Sequence, residues 1–128
     1  MKFSIDKKDN YSIFKIDEDK LDTTIAPAVK SELLTQHAEG VQNVILDLSQ
    51  VKYVDSSGLS ALLRGNMIFS DDGGIFIIAA PSEHVNKLLK ISLLDKVLNI
   101  LPTVEEAVDA VFLHVIEGDL KAGESEDN

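Results

Sequence analysis

Val44-Ile45-Leu46, followed by Asp55-Ser56-Ser57-Gly58-Leu59, is the stretch on which the fold turns. The three apolar residues read as a strand buried on both faces, the pattern of parallel pairing. Downstream, Leu59, Leu62, Leu63 and Met67 recur at helical spacing and predict a helix that stops before Ser70-Asp71-Asp72-Gly73-Gly74. Two hydroxyls therefore stand at a helix entrance, where the first backbone N–H groups lack intrahelical partners and the macrodipole favours negative charge. Two uses of that entrance are open. Ser and Asp rank among the best N-cap residues, so one of these side chains is placed to cap the helix. A phosphate added to a serine there is also well accommodated.

Outward on the N-terminal side, Phe3-Ser4-Ile5 and Tyr11-Ser12-Ile13-Phe14-Lys15-Ile16 alternate as strands around a polar turn at Asp9-Asn10, predicting an opening hairpin. Thr23 or Thr24 is placed to cap a helix carrying Ile25, Val29 and Leu33, with Pro27 in its first turn and Gly40 at its end. On the C-terminal side, Ile75-Phe76-Ile77-Ile78-Ala79-Ala80 reads as a second buried strand, and Pro81-Ser82 as the entrance to a helix with Val85, Leu88 and Leu89 inside. A short strand is expected over Val97-Leu98-Asn99-Ile100. Thr103-Val104-Glu105-Glu106 matches a capping box and opens a helix with Ala107, Val108, Val111, Phe112 and Val115 on its periodic positions. From Glu117 to Asn128 only Leu120 and Ala122 are apolar, which predicts a frayed, solvated tail. Strand and helix alternate after the hairpin, so the expected class is α/β with a central, largely parallel sheet.

The 128 residues suit one domain with its own core, and 45% hydrophobic with 27% charged residues is an ordinary globular balance. A net charge of −10 repels nucleic-acid backbones and anionic membranes, so no nucleic-acid binding and no membrane insertion are expected. A protein partner is expected to offer a basic or mixed surface. The absence of cysteine removes disulfides, thiolate metal sites and thiol nucleophiles. The opening residues lack the apolar core of a signal peptide, and no apolar run approaches a membrane span, so a cytoplasmic location is the expectation.

Catalytic patterns are sparse. A serine hydrolase needs a base beside Ser56 or Ser57, yet His37, His84 and His114 each read as helix-borne structural residues, and the Gly-x-Ser-x-Gly elbow is absent. The pairs Asp71-Asp72 and Glu105-Glu106 are sequence neighbours that point apart, so no metal is expected. There is no phosphate loop, and Gly73-Gly74 precedes a strand instead of opening a helix, so no cofactor is expected. Asp47 ends a strand as a receiver-domain phosphoacceptor does, but Asp6 stands alone where that chemistry needs further acids for Mg²⁺.

Leu46-Asp47-Leu48-Ser49 with Val54-Asp55-Ser56-Ser57-Gly58-Leu59 resembles the signature of the STAS family, named for sulfate transporters and anti-sigma-factor antagonists. Leu21-Asp22-Thr23-Thr24, Gly74-Ile75-Phe76, Val85 to Leu89, Leu94-Asp95-Lys96-Val97 and Glu105-Glu106-Ala107 agree in order, so the resemblance runs over residues 3–116. It implies a STAS fold: a small mixed, mainly parallel sheet with about four helices packed chiefly on one face, forming a single domain over residues 1–116. The acidic tail over 117–128 is then expected to be disordered.

Among small free-standing members, the resemblance implies an anti-sigma factor antagonist that works by partner switching. Ser56 would be phosphorylated by an anti-sigma factor that is also a serine kinase, and a PP2C-type phosphatase would remove the phosphate. The unphosphorylated form would bind the kinase. Asp55 would fix the loop, Ser57 would be a neighbouring contact or cap, and Gly58 would admit a partner closely or permit a tight turn. Asp22, Thr23 and Ser60 would lie on the docking surface. A different member class, the constitutive STAS subunit of a lipid-transport ABC complex, would use Ser56 only as a cap; other non-sigma STAS signalling modules form a further alternative. The chain departs from the family pattern at Glu18-Asp19-Lys20, where a glycine is common, at Ser60, and at Leu93, also often glycine. A left-handed leucine costs energy, so the backbone is expected to change at Leu93.

Overall fold

The alternating segments at the start form the expected hairpin: β1 (Phe3–Lys7) pairs antiparallel with β2 (Ser12–Ile16), Ile5 opposite Phe14. In the computed structural model, which describes residues 1–126, β2 then pairs parallel with β4 (Val44–Asp47), β4 with β6 (Phe76–Ala79), and β6 with β7 (Asn99–Leu101). The sheet order is β1-β2-β4-β6-β7. A separate two-residue parallel ladder joins β3 (Lys20–Leu21) to β5 (Tyr53–Val54). The helices are α1 (Ala26–Ala38), α2 (Ser56–Asp71), α3 (Glu83–Ile91) and α4 (Val104–Glu126), with a 3₁₀ turn at Leu94–Lys96.

Every residue of β4 and β6 is buried, as their unbroken apolar runs predict. Side chains alternate across the pleat. Val44, Leu46, Phe76 and Ile78 join Phe14 and Ile16 in a core shared with α1, α2 and α3, while Ile45, Ile77 and Ala79 meet Ala107 and Val111 of α4 on the other face. Three helices thus cover one side and one covers the other. Between strand ends, Asn43 donates to the Asn10 carbonyl at 2.7 Å and accepts from the Ile75 amide at 3.0 Å, tying the hairpin turn to two crossover strands.

Several local expectations change. The inner stripe of α2 is Ala61, Leu62, Gly65 and Phe69, with Leu59 and Leu63 at its margin; Met67 faces outward at 53% exposure. Gly65 and Phe69 decide that rotation, because a Cβ at Gly65 would lie 2.6 Å from the Phe76 ring and Phe69 stacks on the same ring. Neither Thr23 nor Thr24 caps α1. The N-cap position is Ile25, without a side-chain bond, and the Asp22 carbonyl takes the amides of Ile25 and Ala26. The short closing strand starts two residues later than its apolar pattern suggests, leaving Val97 exposed.

Leu93 does not change its backbone; it keeps the left-handed conformation, at φ 62°. It follows the C-cap of α3 and turns the chain so that Leu94 and Leu98 reach the core. Leu98 is buried and Leu94 partly so; the full burial of one leucine contributes about 1.5–3 kcal/mol, and with the partial burial of the other this exceeds the roughly 1–2 kcal/mol of left-handed strain. At the C-terminus, α4 continues through residues expected to be frayed, as far as Glu126. Glu, Leu, Lys and Ala are good helix formers and extend the ladder beyond the sheet although their side chains stay exposed over residues 116–122. Residues 127 and 128 of the expected tail lie outside the described residues.

Leu93 is 66% exposed, so replacing it forfeits little packing. Leu93→Gly is expected to raise stability by about 0.5 kcal/mol, the relieved strain exceeding the added unfolded-state freedom of about 0.4–1 kcal/mol; urea denaturation checks the sign.

Candidate functional site

The β3–β5 ladder brings the loop after Leu21 against the entrance of α2. Asp55 is the N-cap of α2, and its Oδ1 accepts the Gly58 amide at 2.9 Å. Its Oδ2 reaches across to accept both the amide and the hydroxyl of Thr23, each at 3.3 Å. The Asp55 amide in turn donates to the Leu21 carbonyl at 3.2 Å. One carboxylate therefore caps a helix and joins two loops distant in sequence. This resolves the cap question in favour of Asp55, so Ser56 is not the cap.

The two serines consequently differ. Ser57 is half-buried, with its hydroxyl 3.3 Å from that of Thr23. Ser56, the first residue of α2, is exposed, and its side chain has no hydrogen-bond partner among the described residues. Gly58 is buried, not presented to a partner, and it lies within helix instead of a turn: a Cβ there would sit 2.3 Å from the Leu21 carbonyl oxygen and 2.7 Å from Val54. Its lack of a side chain serves the close packing of α2 on β3 and β5.

Ser60, one turn further along α2, is exposed and accepts a hydrogen bond from Lys30 Nζ of α1 at 3.3 Å. Thr23, Ala26, Pro27, Lys30, Ser56, Ser57 and Ser60 line a shallow depression of about 290 Å³. Lys30 is the member that sequence reasoning missed. It stands 30 residues from Ser60, and nothing local to either segment signals the meeting. Asp22 borders the same loop, where its Oδ1 accepts the hydroxyl and amide of Thr24. The Thr24 hydroxyl bond is the main reason its carboxyl is held below the usual range; partial desolvation opposes it, and the Thr24 amide and Lys20 add to the lowering.

The other candidates occupy structural positions. Asp47 is buried at the end of β4 and accepts the Ser49 amide at 2.8 Å. His37 meets Asp72 at 3.2 Å, His114 lies 3.0 Å from the Gly73 carbonyl, and the His84 ring packs by Tyr53. Among the described residues no three His, Asp or Glu side chains gather as a metal site, and no helix is long and apolar enough to cross a membrane.

The STAS domain family model matches residues 2–107, a span that takes in the sheet, the ladder and the α2 entrance. The chain belongs to the STAS family. A Thermotoga neapolitana protein named as an anti-sigma factor antagonist is 33% identical to this STAS domain over 73 residues, 57% of this chain and 65% of that protein. The chain thus spans just under two thirds of that curated relative. The crystal structure of an anti-sigma factor antagonist from Thermotoga maritima superposes with a TM-score of 0.77 at 27% identity, covering 85% of this chain and 93% of the other. The Bacillus cell fate determinant SpoIIAA, in its phosphorylated form, superposes with a TM-score of 0.67 at 22% identity, over 86% of this chain and 99% of its own, a likeness of fold.

Asp55→Ala removes the cap and both bonds to Thr23. A loss of about 1–2 kcal/mol is expected in urea denaturation, together with faster amide exchange at Gly58 and Thr23. Asp22 is expected to titrate below the usual carboxylate range in carbon-detected NMR, and Thr24→Val is expected to move its midpoint up. Because the folded-state value is the lower one, the stabilising contribution of this contact is complete above the unfolded-state value and is lost as pH falls through the folded-state midpoint.

Proposed function

We propose that this STAS domain is a phosphorylation-controlled, protein-binding regulator, an anti-sigma factor antagonist with Ser56 as the phosphoacceptor. The observation that carries the reading is the free, exposed hydroxyl of Ser56 on a helix entrance whose other polar groups, Asp55, Ser57 and Thr23, are bound to one another. The names of the Thermotoga relatives support the antagonist role, and the phosphorylated SpoIIAA structure belongs to a protein of the same fold.

In this reading the unphosphorylated surface of Asp22, Thr23, Ser56, Ser57 and Ser60 docks on an anti-sigma factor that is also a serine kinase. Asp55 and Gly58 hold that surface together from beneath. The kinase transfers the γ-phosphoryl group of ATP to the Ser56 oxygen; the O–P bond to ADP breaks, and the hydroxyl proton passes to a base of the kinase. A PP2C-type phosphatase returns the serine by hydrolysis and releases inorganic phosphate. The added group carries about −1.5 to −2 charges. On this domain it meets a favourable helix entrance, so the fold persists. At the interface it adds negative charge beside Asp22 and Asp55 and spoils the fit to the partner. The cycle operates in the cytoplasm, where its ATP-dependent partner works.

Phosphate mapping after incubation with the cognate kinase and ATP tests the reading; modification at Ser56 is the expected result, and no modification there overturns it. Ser56→Asp is expected to weaken kinase binding at least about tenfold, while Ser56→Ala binds as the parent does. Since Asp55 is the cap, Ser56→Ala is also expected to leave stability within about 0.5 kcal/mol. Equal binding by both variants would instead favour a constitutive structural subunit.

A further inference from the structure

We propose that the outward face of α4 is a second docking surface, built for a basic amphipathic helix of another protein. Its inner side, Ala107 and Val111, is buried against Ile45 and Ile77. The opposite side should then be polar, yet Phe112, Leu113, Ile116 and Leu120 are 43%, 61%, 53% and 63% exposed. Their spacing of three and four residues places them in one outward stripe, about 12 Å long over eight residues of rise. The Phe112 ring is held edge-on to Tyr11 at a centroid distance of 6.0 Å, so the stripe begins at an ordered anchor. Four large apolar side chains gathered on one helix face mark an interaction surface more than a solvated one.

Charge decides the occupant. Asp109 precedes the stripe, and by helical spacing Glu117 and Asp119 flank it on either side. Over its whole length from Val104 to Glu126 the helix carries one cation, Lys121, against seven carboxylates; Lys7 and Lys8 of the hairpin share a depression with Asp119 at one margin, and the His114 ring is engaged with the Gly73 carbonyl. A straight apolar stripe between acidic margins is complementary to a helix with apolar residues on one face and Lys or Arg beside them. A second copy fits poorly, because pairing α4 with itself about a twofold axis sets these acids against one another in chains that each carry −10. An anionic membrane is repelled by the same margins; helices that lie on membranes carry Lys or Arg there. The face lies across the sheet from α1 and α2, so a helix bound here leaves the Ser56 surface open.

The test uses the full chain and two labelled synthetic peptides of about 18 residues, one a Leu/Lys sequence with helical amphipathicity and the other its scrambled composition. Fluorescence anisotropy is expected to show the amphipathic peptide binding at least about tenfold more tightly than the scrambled one, with amide shifts in NMR centred on α4. The pair Ile116→Ser and Leu120→Ser, which leaves charge unchanged, is expected to weaken it at least about tenfold, whereas Leu34→Ser on α1 leaves it unchanged. Equal binding of the two peptides, or shifts lying elsewhere in the parent chain, would overturn the proposal without need of any variant. So would a dimer in sedimentation that the double variant abolishes, which would make the occupant a second copy, or flotation with vesicles in place of peptide binding. Phosphorylation at Ser56 enters none of these readouts.

Discussion

The carbonyl oxygen of Leu21 occupies the space in which a side chain at position 58 would begin, 2.3 Å from where a Cβ would lie. Only glycine lets the first turn of α2 settle against the β3–β5 ladder. That contact sets the other geometry of the site. The same carbonyl takes the Asp55 amide, which aims the Asp55 carboxylate at both the helix amide of Gly58 and the loop at Thr23. Two segments more than thirty residues apart become one surface through a backbone approach, and a substitution at 58 would separate them.

Capping by Asp55 divides the labour at that surface. Because the carboxylate accepts the Gly58 amide and so caps the helix, neither serine is the cap, and among the described residues the exposed Ser56 hydroxyl has no hydrogen-bond partner. Any charge placed at such a position acts on what binds the surface more than on the core, which lies behind β3, β5 and the sheet. The α4 stripe stands on the far side of the same sheet.

Packing overrides local preference in three places, each for an identifiable reason. Leu93 accepts a left-handed backbone because Leu94 and Leu98 must turn inward. α2 rotates Met67 to solvent because Gly65 and Phe69 fit the Phe76 ring. α1 starts without a side-chain cap because the Asp22 carbonyl already serves its first amides, while the Thr24 hydroxyl is drawn to the Asp22 carboxylate. At Leu93 and in α2 a contact from another segment outweighs a preference of the order of 1 kcal/mol, whereas at α1 the competing partner, Asp22, lies in the same loop.

The order of the five main strands and four helices and the mainly parallel character of the large sheet were legible in the chain itself, because they rest on periodicity and on short-range chemistry, whereas the two-residue strands β3 and β5 are too short to show a period. The runs Val44 to Leu46 and Ile75 to Ala80 have no polar face to show to water, so they had to be interior strands. Ser82 and Thr103 announced their helices because a cap acts within three residues, and both accept the expected amides. Family membership was legible for the same reason, in the residues around Asp55 to Gly58. What lay beyond the sequence were choices among equivalent local options: which of Asp55, Ser56 and Ser57 caps α2, that Gly58 serves packing, that Lys30 meets Ser60, and that α4 runs on past the sheet with an apolar face outward. Those were decided by tertiary structure, because each depends on which distant segment arrives alongside, and the spacing within a single segment carries no record of that neighbour.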